Sequence, residues 1–406
     1  MKKIKNKPMP SKVYISGYGI VSSLGFNVPD NLHALKAELT GIHLPSQLQT
    51  LHTTVPLGEV SKSNAELAAK AGVGDQGLSR TSLLGIIAAK EAVMAAELTP
   101  ELLLNAAVIN GTSVGGMDIS ELAFQDALQG KEMDYQAVFG GHDCGYSTQK
   151  IAESLGIKGY LETISTACSS SANSIMNAGR MIKAGLADIV IAGGTDALSL
   201  FTLNGFNALK ILDHTHCKPF DEERRGLNLG EGAAYLVLES ERSLKQRKGE
   251  PLAMLTGYGN ANDAWHQTAS SPEGKGALLA MRKALEVAKQ PSSAIDYINA
   301  HGTGTANNDL SESHALQKFF GNDVPPYSST KAYTGHTLGA AGAIEAVFSM
   351  LSLQHQVAFP TLNLERPMTI IRPPLTKVTD ITINQLLSNS FGFGGNCTSL
   401  LFSKAS

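Results

Sequence analysis

Two stretches of this chain, Cys168-Ser-Ser-Ser-Ala-Asn-Ser174 and Gly339-Ala-Ala-Gly-Ala343, read as helices almost bare of side chain, each entered from an apolar, β-type run. The first follows Ile157 to Ile164. The second follows a strand near Tyr327, by way of Lys331 and His336. Helices of Ser, Ala and Gly serve where backbones must approach closely. The repeated plan therefore predicts a duplicated fold in which two related helices meet at the centre.

The surrounding pattern agrees. Apolar β-type segments at 12–21, 105–111, 158–165, 187–194, 232–239, 295–300 and 325–329, with two more near 380–390 and 397–403, alternate with helical patterns at 79–97, 118–129, 168–185, 274–289, 309–320 and 338–354. That alternation predicts an α/β architecture with buried strands and short connections. No low-complexity linker marks a boundary. The division expected is a polar arm at 1–11, an N-terminal half at 12–250 carrying Cys168, and a C-terminal half at 251–406 carrying His301 and His336.

Composition excludes several classes. A net charge of −3 gives no reason to expect nucleic acid or an anionic membrane as partner. The four cysteines are widely spaced with no Cys-x-x-Cys pair, so a disulfide framework is not expected and a reducing compartment is. Lys2, Lys3, Lys5 and Lys7 precede Val13 to Val21 in the manner of a signal peptide, but Ser16, Gly17 and Gly19 interrupt the apolar region. No apolar run reaches the ~18 residues of a membrane span. The expected location is the cytoplasm.

Cys168 falls on a turn at a helix N-terminus, where unpaired N–H groups and the positive end of the macrodipole favour thiolate, the nucleophilic form. The plainer use of a free cysteine is as a small apolar core residue. His301 follows the strand 295–300 directly, in Asn299-Ala-His-Gly-Thr-Gly-Thr305, at the end where open α/β sheets place ligands. His336 lies in Lys331-Ala-Tyr-Thr-Gly-His-Thr-Leu-Gly339, just before a helix. One such histidine is usually a structural hydrogen-bonder; two make a candidate site. Asn389-Ser-Phe-Gly-Phe393-Gly-Gly395, between the last two strands, reads either as a tight hairpin or as a loop offering an oxyanion-binding N–H beside a Phe gate.

These motifs, with Pro219-Phe-Asp and Gly230-Glu-Gly-Ala between them, keep the order and spacing of the elongating β-ketoacyl-acyl-carrier-protein synthases, which the chain resembles from its first strand to its last. The resemblance implies a thiolase-like fold, with duplicated αβ halves in a five-layered α-β-α-β-α sandwich, usually paired as a dimer. It implies that Cys168 accepts an acyl chain from a carrier-protein thioester, with its own N–H and that of Phe393 holding the oxyanion. His301 and His336 would then stabilise the enolate formed when a malonyl thioester loses its carboxylate.

Further roles come with the resemblance. Thr303 and Thr305 match positions that bind the phosphopantetheine arm, which the carrier protein brings; no cofactor of the chain's own is expected. Lys331, Asp309 and Glu345 match polar support around the histidines, Lys331 acting either electrostatically or structurally. Asn299, Glu345 and Ser388 match positions that bind a monovalent cation in some members. Val114 and Phe206 match the acyl pocket, and Lys210 a basic docking position for an acidic acyl carrier protein.

A histidine at 336 favours decarboxylative elongation, because degradative thiolases generally use a second cysteine there and starter-forming synthases an asparagine. The presence of Cys168 argues against a non-catalytic chain-length partner. Departures also stand out. The segment between Gly116 and Gly159 is short and contains the unmatched Gly140-Gly-His-Asp-Cys144. Asn396-Cys397 replace a usual Thr-Asn, and Arg225 stands where an acidic residue is common. They keep open a second pathway, specialised polyketide or polyene synthesis, and a second pairing, a heterodimer with a related ketosynthase-like chain instead of a homodimer.

Two rival readings remain. Asp213-His-Thr-His-Cys217 has metal-ligand residue types but not the spacing of a common finger or metalloprotease, so no metal is expected. Gly17-Tyr-Gly19 is a partial dinucleotide signature with Ser22 in the third glycine position, the mark of a weak NAD-dependent alternative.

Overall fold

The computed structural model of the chain describes residues 12–74, 77–131 and 135–405. The arm expected at 1–11 lies outside the described residues. Among the described residues the strands are β1 (Val13–Ser22), β2 (Ala107–Gly111), β3 (Leu161–Ile164), β4 (Ile189–Asp196), β5 (Gly232–Ser240), β6 (Ala253–Asn262), β7 (Tyr297–Asn299), β8 (Tyr327–Ser328), β9 (Val357–Ala358), β10 (Thr379–Asp380), β11 (Gln385–Phe391) and β12 (Asn396–Lys404).

Ten of them share one sheet in the order β3-β2-β4-β5-β1-β6-β12-β11-β7-β8, while β9 and β10 pair separately. The order is palindromic in kind. Setting aside β9 and β10 and counting within each half, both run third, second, fourth, fifth, first from edge to middle. The pairing senses repeat as well: β3-β2 and β2-β4 are parallel, β4-β5 and β5-β1 antiparallel. In the other half β8-β7 and β7-β11 are parallel, β11-β12 and β12-β6 antiparallel. The equivalent strands β1 and β6 join the halves edge to edge, through Tyr14↔Met254 and Ile15↔Ala253.

The helices Ser170–Lys183 and Ala341–His355 pack together between the halves, in a core that takes Ile20 and Leu236 from the first half of the sheet and Leu386 and Leu400 from the second. Outside the first half lie Arg80–Ala95 and Cys144–Leu155. Outside the second lie Lys275–Ala288 and Ala306–Phe320. The result is a thiolase-like α-β-α-β-α sandwich. The central helices need small residues at and beneath them: a β-carbon on Gly342 would fall 2.8 Å from the Ala172 Cβ, and one on Gly111, at the end of β2, 2.4 Å from the Ser171 nitrogen.

β6 was not anticipated, because Gly257, Gly259, Asn260 and Asn262 depress its β-propensity. Its glycines let the helix Lys275–Ala288 ride close: a β-carbon at Gly257 would lie 2.2 Å from the Ala284 carbonyl oxygen, and at Gly259 2.1 Å from that of Ala280. Gly17 and Gly19 do the same in β1, against Ala92 and Ala88. Those two glycines thus sit inside a strand, not in a phosphate-binding turn after one, which removes the dinucleotide signature. The expectation of short connections also needs correcting, since 37–63, 209–231 and 359–378 are long and irregular.

Candidate active site

β3 ends at Ile164, and the chain reverses into the central helix through Ala167, held in the left-handed conformation at φ 52. The turn is locked by Ser170, whose Oγ donates to the Ala167 carbonyl at 2.6 Å and accepts from Thr166 N–H at 2.9 Å. Cys168 sits on this turn, just before the first helical residue Ser170, as expected. Its ionisation is not as expected. Only 6% exposed, it has its thiol pushed up to about 11 by burial; the charge of Lys331 and the N–H of Phe393 pull the other way without cancelling it. Burial thus opposes the pull expected of the helix N-terminus and favours the thiol form.

The two histidines come from the other half and meet with ring centroids 5.4 Å apart, nearly perpendicular. Lys331 Nζ lies 3.1 Å from His301 Nδ1, and Leu338 N–H donates to His336 Nδ1 at 3.2 Å. An ammonium and a backbone N–H can only donate, so each Nδ1 accepts and each neutral ring carries its proton on Nε2. Both rings are held neutral: burial first, then the charge of Lys331, depress their pKa well below the ordinary histidine value. Lys331 is neutralised by Glu345, whose own carboxyl burial raises to about 7.

The loop after His301 is pinned by two carboxylates one turn apart on the helix Ala306–Phe320. Asp309 accepts from Thr303 N–H at 2.9 Å, Gly304 N–H at 3.1 Å and Phe220 N–H at 2.8 Å. Glu312 accepts from His301 N–H at 3.0 Å and Gly302 N–H at 2.8 Å. Thr305 caps that helix, and its hydroxyl meets that of Thr303 at 2.9 Å. Sequence reasoning found Asp309 but missed Glu312, although i,i+3 spacing on one helix face was a signal for it. It also missed buried Asp196, which joins the halves by accepting from Thr112 Oγ1 at 2.5 Å, Ser113 N–H at 3.0 Å and Gly339 N–H at 2.7 Å.

The glycine cluster forms the hairpin that one of its two readings expects. It connects β11 to β12, with Gly394 and Gly395 at φ 78 and 81, and it carries Phe393 N–H to the Cys168 sulfur. Gly392 has no room for a β-carbon, which would approach the Thr166 carbonyl oxygen at 2.8 Å. The Phe393 ring stacks on Phe206 at 5.7 Å.

A cavity of about 230 Å³ brings these groups together: Cys168, His301, His336, Thr303, Thr305, Phe393, Phe206 and Lys210 all line it, with Arg225 beside Lys210. Lys331, Asp309 and Glu345 stand behind the lining and act on it through the histidines and their loop. Val114 does not line this cavity; it packs with Phe206 and Leu338 in an adjoining apolar cluster. Asn299 pairs in register with Ser388, and its buried Oδ1 has no hydrogen-bond partner among the described residues. In the 213–217 segment, His216 Nε2 bonds the Ile42 carbonyl and Cys217 is buried against the Lys331 carbonyl. Cys144 begins a helix capped by Asp143.

Family models for the β-ketoacyl synthase N-terminal and C-terminal domains match residues 11–243 and 252–365. The chain is 34% identical to 3-oxoacyl-[acyl-carrier-protein] synthase 2 of Staphylococcus aureus strain COL, over 97% of this chain and 98% of that protein. Among solved structures it resembles the ishigamide ketosynthase/chain length factor, with TM-score 0.91 and 29% identity, covering 98% of this chain and 100% of that one. It also resembles a ketosynthase from Xenorhabdus doucetiae in complex with its chain length factor, with TM-score 0.85 and 32% identity, covering 99% and 100%.

Proposed function

The chain belongs to the β-ketoacyl synthase family, and from that premise we propose that Cys168, His301 and His336 carry out a decarboxylating Claisen condensation on carrier-bound substrates. It is an acyltransferase, a 3-oxoacyl-[acyl-carrier-protein] synthase. In the first step the Cys168 sulfur attacks the thioester of an acyl carrier protein. An S–C bond forms, the bond to the phosphopantetheine sulfur breaks, and the thiol proton ends on the departing thiol. The N–H groups of Cys168 and Phe393 receive the oxyanion. Thr303 and Thr305 hold the phosphopantetheine arm, and Phe206, with Val114 behind it, receives the acyl chain.

In the second step the carbonyl oxygen of a malonyl thioester accepts from the two Nε2–H groups. Its C–COO⁻ bond breaks, CO₂ leaves, and the electron pair becomes an enolate whose carbon attacks the acyl–Cys168 carbonyl. The cysteine sulfur leaves and regains a proton. The observation that carries this reading is the pair of neutral imidazoles, each forced by its Nδ1 partner to present Nε2–H to one cavity beside Cys168. Donors without charge suit a negative charge that develops only during reaction.

Intact mass after incubation with acyl carrier proteins, then malonyl carrier protein, tests it. An acyl adduct on Cys168 that disappears as a 3-oxoacyl product forms supports the reading. An adduct on a Cys168→Ala protein would sink it.

Fatty-acid elongation is the pathway read first. A second reading, a ketosynthase of a polyketide or polyene pathway working with a chain-length-factor-like chain, is favoured by the two ketosynthase structures that carry such a partner. Pairing in either case would use the edge strand β3, where Leu161 is exposed, and exposed Leu122, Phe124 and Leu128 on the helix Met117–Leu128 offer further apolar surface. A homodimer or a heterodimer fits that surface; native mass with and without a candidate partner separates them. Lys210 and Arg225 supply the positive charge for the carrier. A monovalent cation at Asn299, Glu345 and Ser388 is supported by the unpartnered Asn299 oxygen. No helix among the described residues is long and apolar enough to cross a membrane, and four free cysteines suit the cytoplasm. A boundary near residue 250 is supported by the repeat of strand order, which begins again at β6.

A further inference from the structure

The two N–H groups that would receive the oxyanion belong to different halves of the molecule: Cys168 to the turn after β3, and Phe393 to the loop before β12. Nothing in the covalent chain sets their separation. Asn396, the first residue of β12, touches both segments. Its carbonyl oxygen accepts from Gly392 N–H at 2.8 Å and so closes the loop that carries Phe393. Its side-chain Oδ1 accepts from Ser169 Oγ at 2.8 Å, Asn173 Nδ2 at 2.9 Å and Asn260 Nδ2 at 2.8 Å. Ser169 adjoins Cys168, Asn173 lies one turn further along the same helix, and Asn260 lies on β6.

The donors around this oxygen are themselves tied back to the nucleophile turn. The Thr166 carbonyl lies equally 2.8 Å from Ser169 Oγ and shares that hydroxyl's one proton with Asn396, and Asn173 Nδ2 donates to Thr166 Oγ1 at 2.8 Å. Asn260 Nδ2 further reaches Asn173 Oδ1 at 3.0 Å. Removing the Asn396 amide would strand one Asn173 N–H and take away the single acceptor shared by β6, β12 and the nucleophile turn, leaving Ser169 and Asn260 to their other partners. Asn396 is absent from the cavity lining, so it does not touch substrate.

We propose that Asn396 is a positioning residue for acyl transfer, holding the Cys168 turn and the Phe393 loop at the separation that lets both N–H groups bind one oxygen. It acts where an oxyanion forms on the acyl carbonyl, in acylation of Cys168 and in the enolate's attack, and not on decarboxylation. The decarboxylation donors, His301 and His336, are oriented by Lys331, Leu338 and Glu312, and among the described residues these bonds do not involve Asn396, Ser169, Asn173 or Asn260. The inference rests on the condensing-enzyme reading above, and its test separates the two. It also gives a physical role to the asparagine at 396, where the sequence departs from a Thr-Asn pair.

The experiment measures two rates on purified full-length protein. One is acylation of Cys168 by an acyl carrier protein, read by intact mass. The other is CO₂ release from malonyl carrier protein without an acyl donor, which converts malonyl thioester and a proton to acetyl thioester and CO₂. Asn396→Ala is expected to slow acylation roughly 10–100-fold, the scale of a misplaced oxyanion donor, and to leave CO₂ release within about twofold. Ser169→Ala, which cuts the link from the other side, should do the same more weakly, and the double variant should be no slower than Asn396→Ala. If Asn396→Ala does not fold, Ser169→Ala decides alone. Equal losses in both half-reactions, or no loss in acylation, would overturn the proposal. A wild-type protein that performs neither would overturn the underlying reading instead.

Discussion

Lys331 Nζ bonds both the Nδ1 ring atom of His301, at 3.1 Å, and its backbone carbonyl, at 2.6 Å, so one ammonium fixes the ring and main chain of one histidine. Because an ammonium has no lone pair, the contact also fixes which ring nitrogen carries the proton. Lys331 is therefore a positioning residue whose charge is balanced by Glu345, deep enough that neither side chain is more than 3% exposed.

Lys331→Met should accordingly free His301 to take either tautomer. Decarboxylation of malonyl carrier protein is expected to fall on the order of 100-fold, as for loss of one oriented donor. Acylation of Cys168 should fall less, since Lys331 contributes only a positive charge near that thiol. Parallel CO₂-release and intact-mass assays read the two steps; an acylation loss as large as the decarboxylation loss would contradict this division of labour.

The Cys168 thiol, pushed up to about 11 by burial, makes a prediction about alkylation. Only thiolate reacts with iodoacetamide, and its fraction rises tenfold per pH unit below the pKa. Inactivation by iodoacetamide should climb steadily from pH 7 to pH 10 with no plateau. A plateau near neutral pH would mean that a thiolate exists in the resting protein.

The course of the chain was legible where local and tertiary demands coincide. Apolar runs marked β1, β4 and β5, and the small-residue helices at 170–183 and 341–355 announced their central place because only close packing explains so little side chain. β6 was lost because Gly257 and Gly259 serve a helix packed across them, a demand absent from the strand itself. The chemistry-bearing residues were legible as motifs, but the Cys168 ionisation was not: a helix N-terminus is a local feature, whereas the burial that opposes it involves a cavity shared with His301, His336 and Phe391 of the other half. Glu312 was hidden for a related reason, since its partners are the backbone N–H groups of a loop that the sequence shows only as glycine and threonine.

Glu312 is raised to about 7, mainly by burial, with the His301 and Gly302 N–H groups opposing the shift. A carboxyl with a raised pKa holds its proton more tightly in the native state, so its contribution to stability is full below the unfolded value, about 4.5, and is lost as pH rises through about 7. Glu312→Gln removes that proton and should flatten the decline in urea midpoint between pH 5 and pH 8. At every pH the variant should be weaker than its parent by about 1–3 kcal/mol, since an amide cannot accept from both backbone donors. Identical pH slopes for the two proteins would mean that Glu312 does not titrate in this window.

Arg80 and Glu231 form a bidentate pair, Nε to Oε2 at 2.9 Å and Nη2 to Oε1 at 2.7 Å. Glu231 also accepts from the N–H groups of Val60 and Leu198. The carboxylate thus ties two irregular segments to the helix Arg80–Ala95. It also borders the His336 support, because Gly230 N–H donates to the His336 carbonyl at 3.0 Å. Glu231→Ala strands a buried guanidinium and two backbone donors, for an expected loss of roughly 3–5 kcal/mol in urea unfolding. Arg80→Met combined with Glu231→Leu removes both charges and should recover part of that loss, though not the part owed to the Val60 and Leu198 donors. A single Glu231→Ala loss below about 1 kcal/mol, the range of an exposed pair, would show that water reaches this carboxylate and that the His336 backbone is held by other contacts.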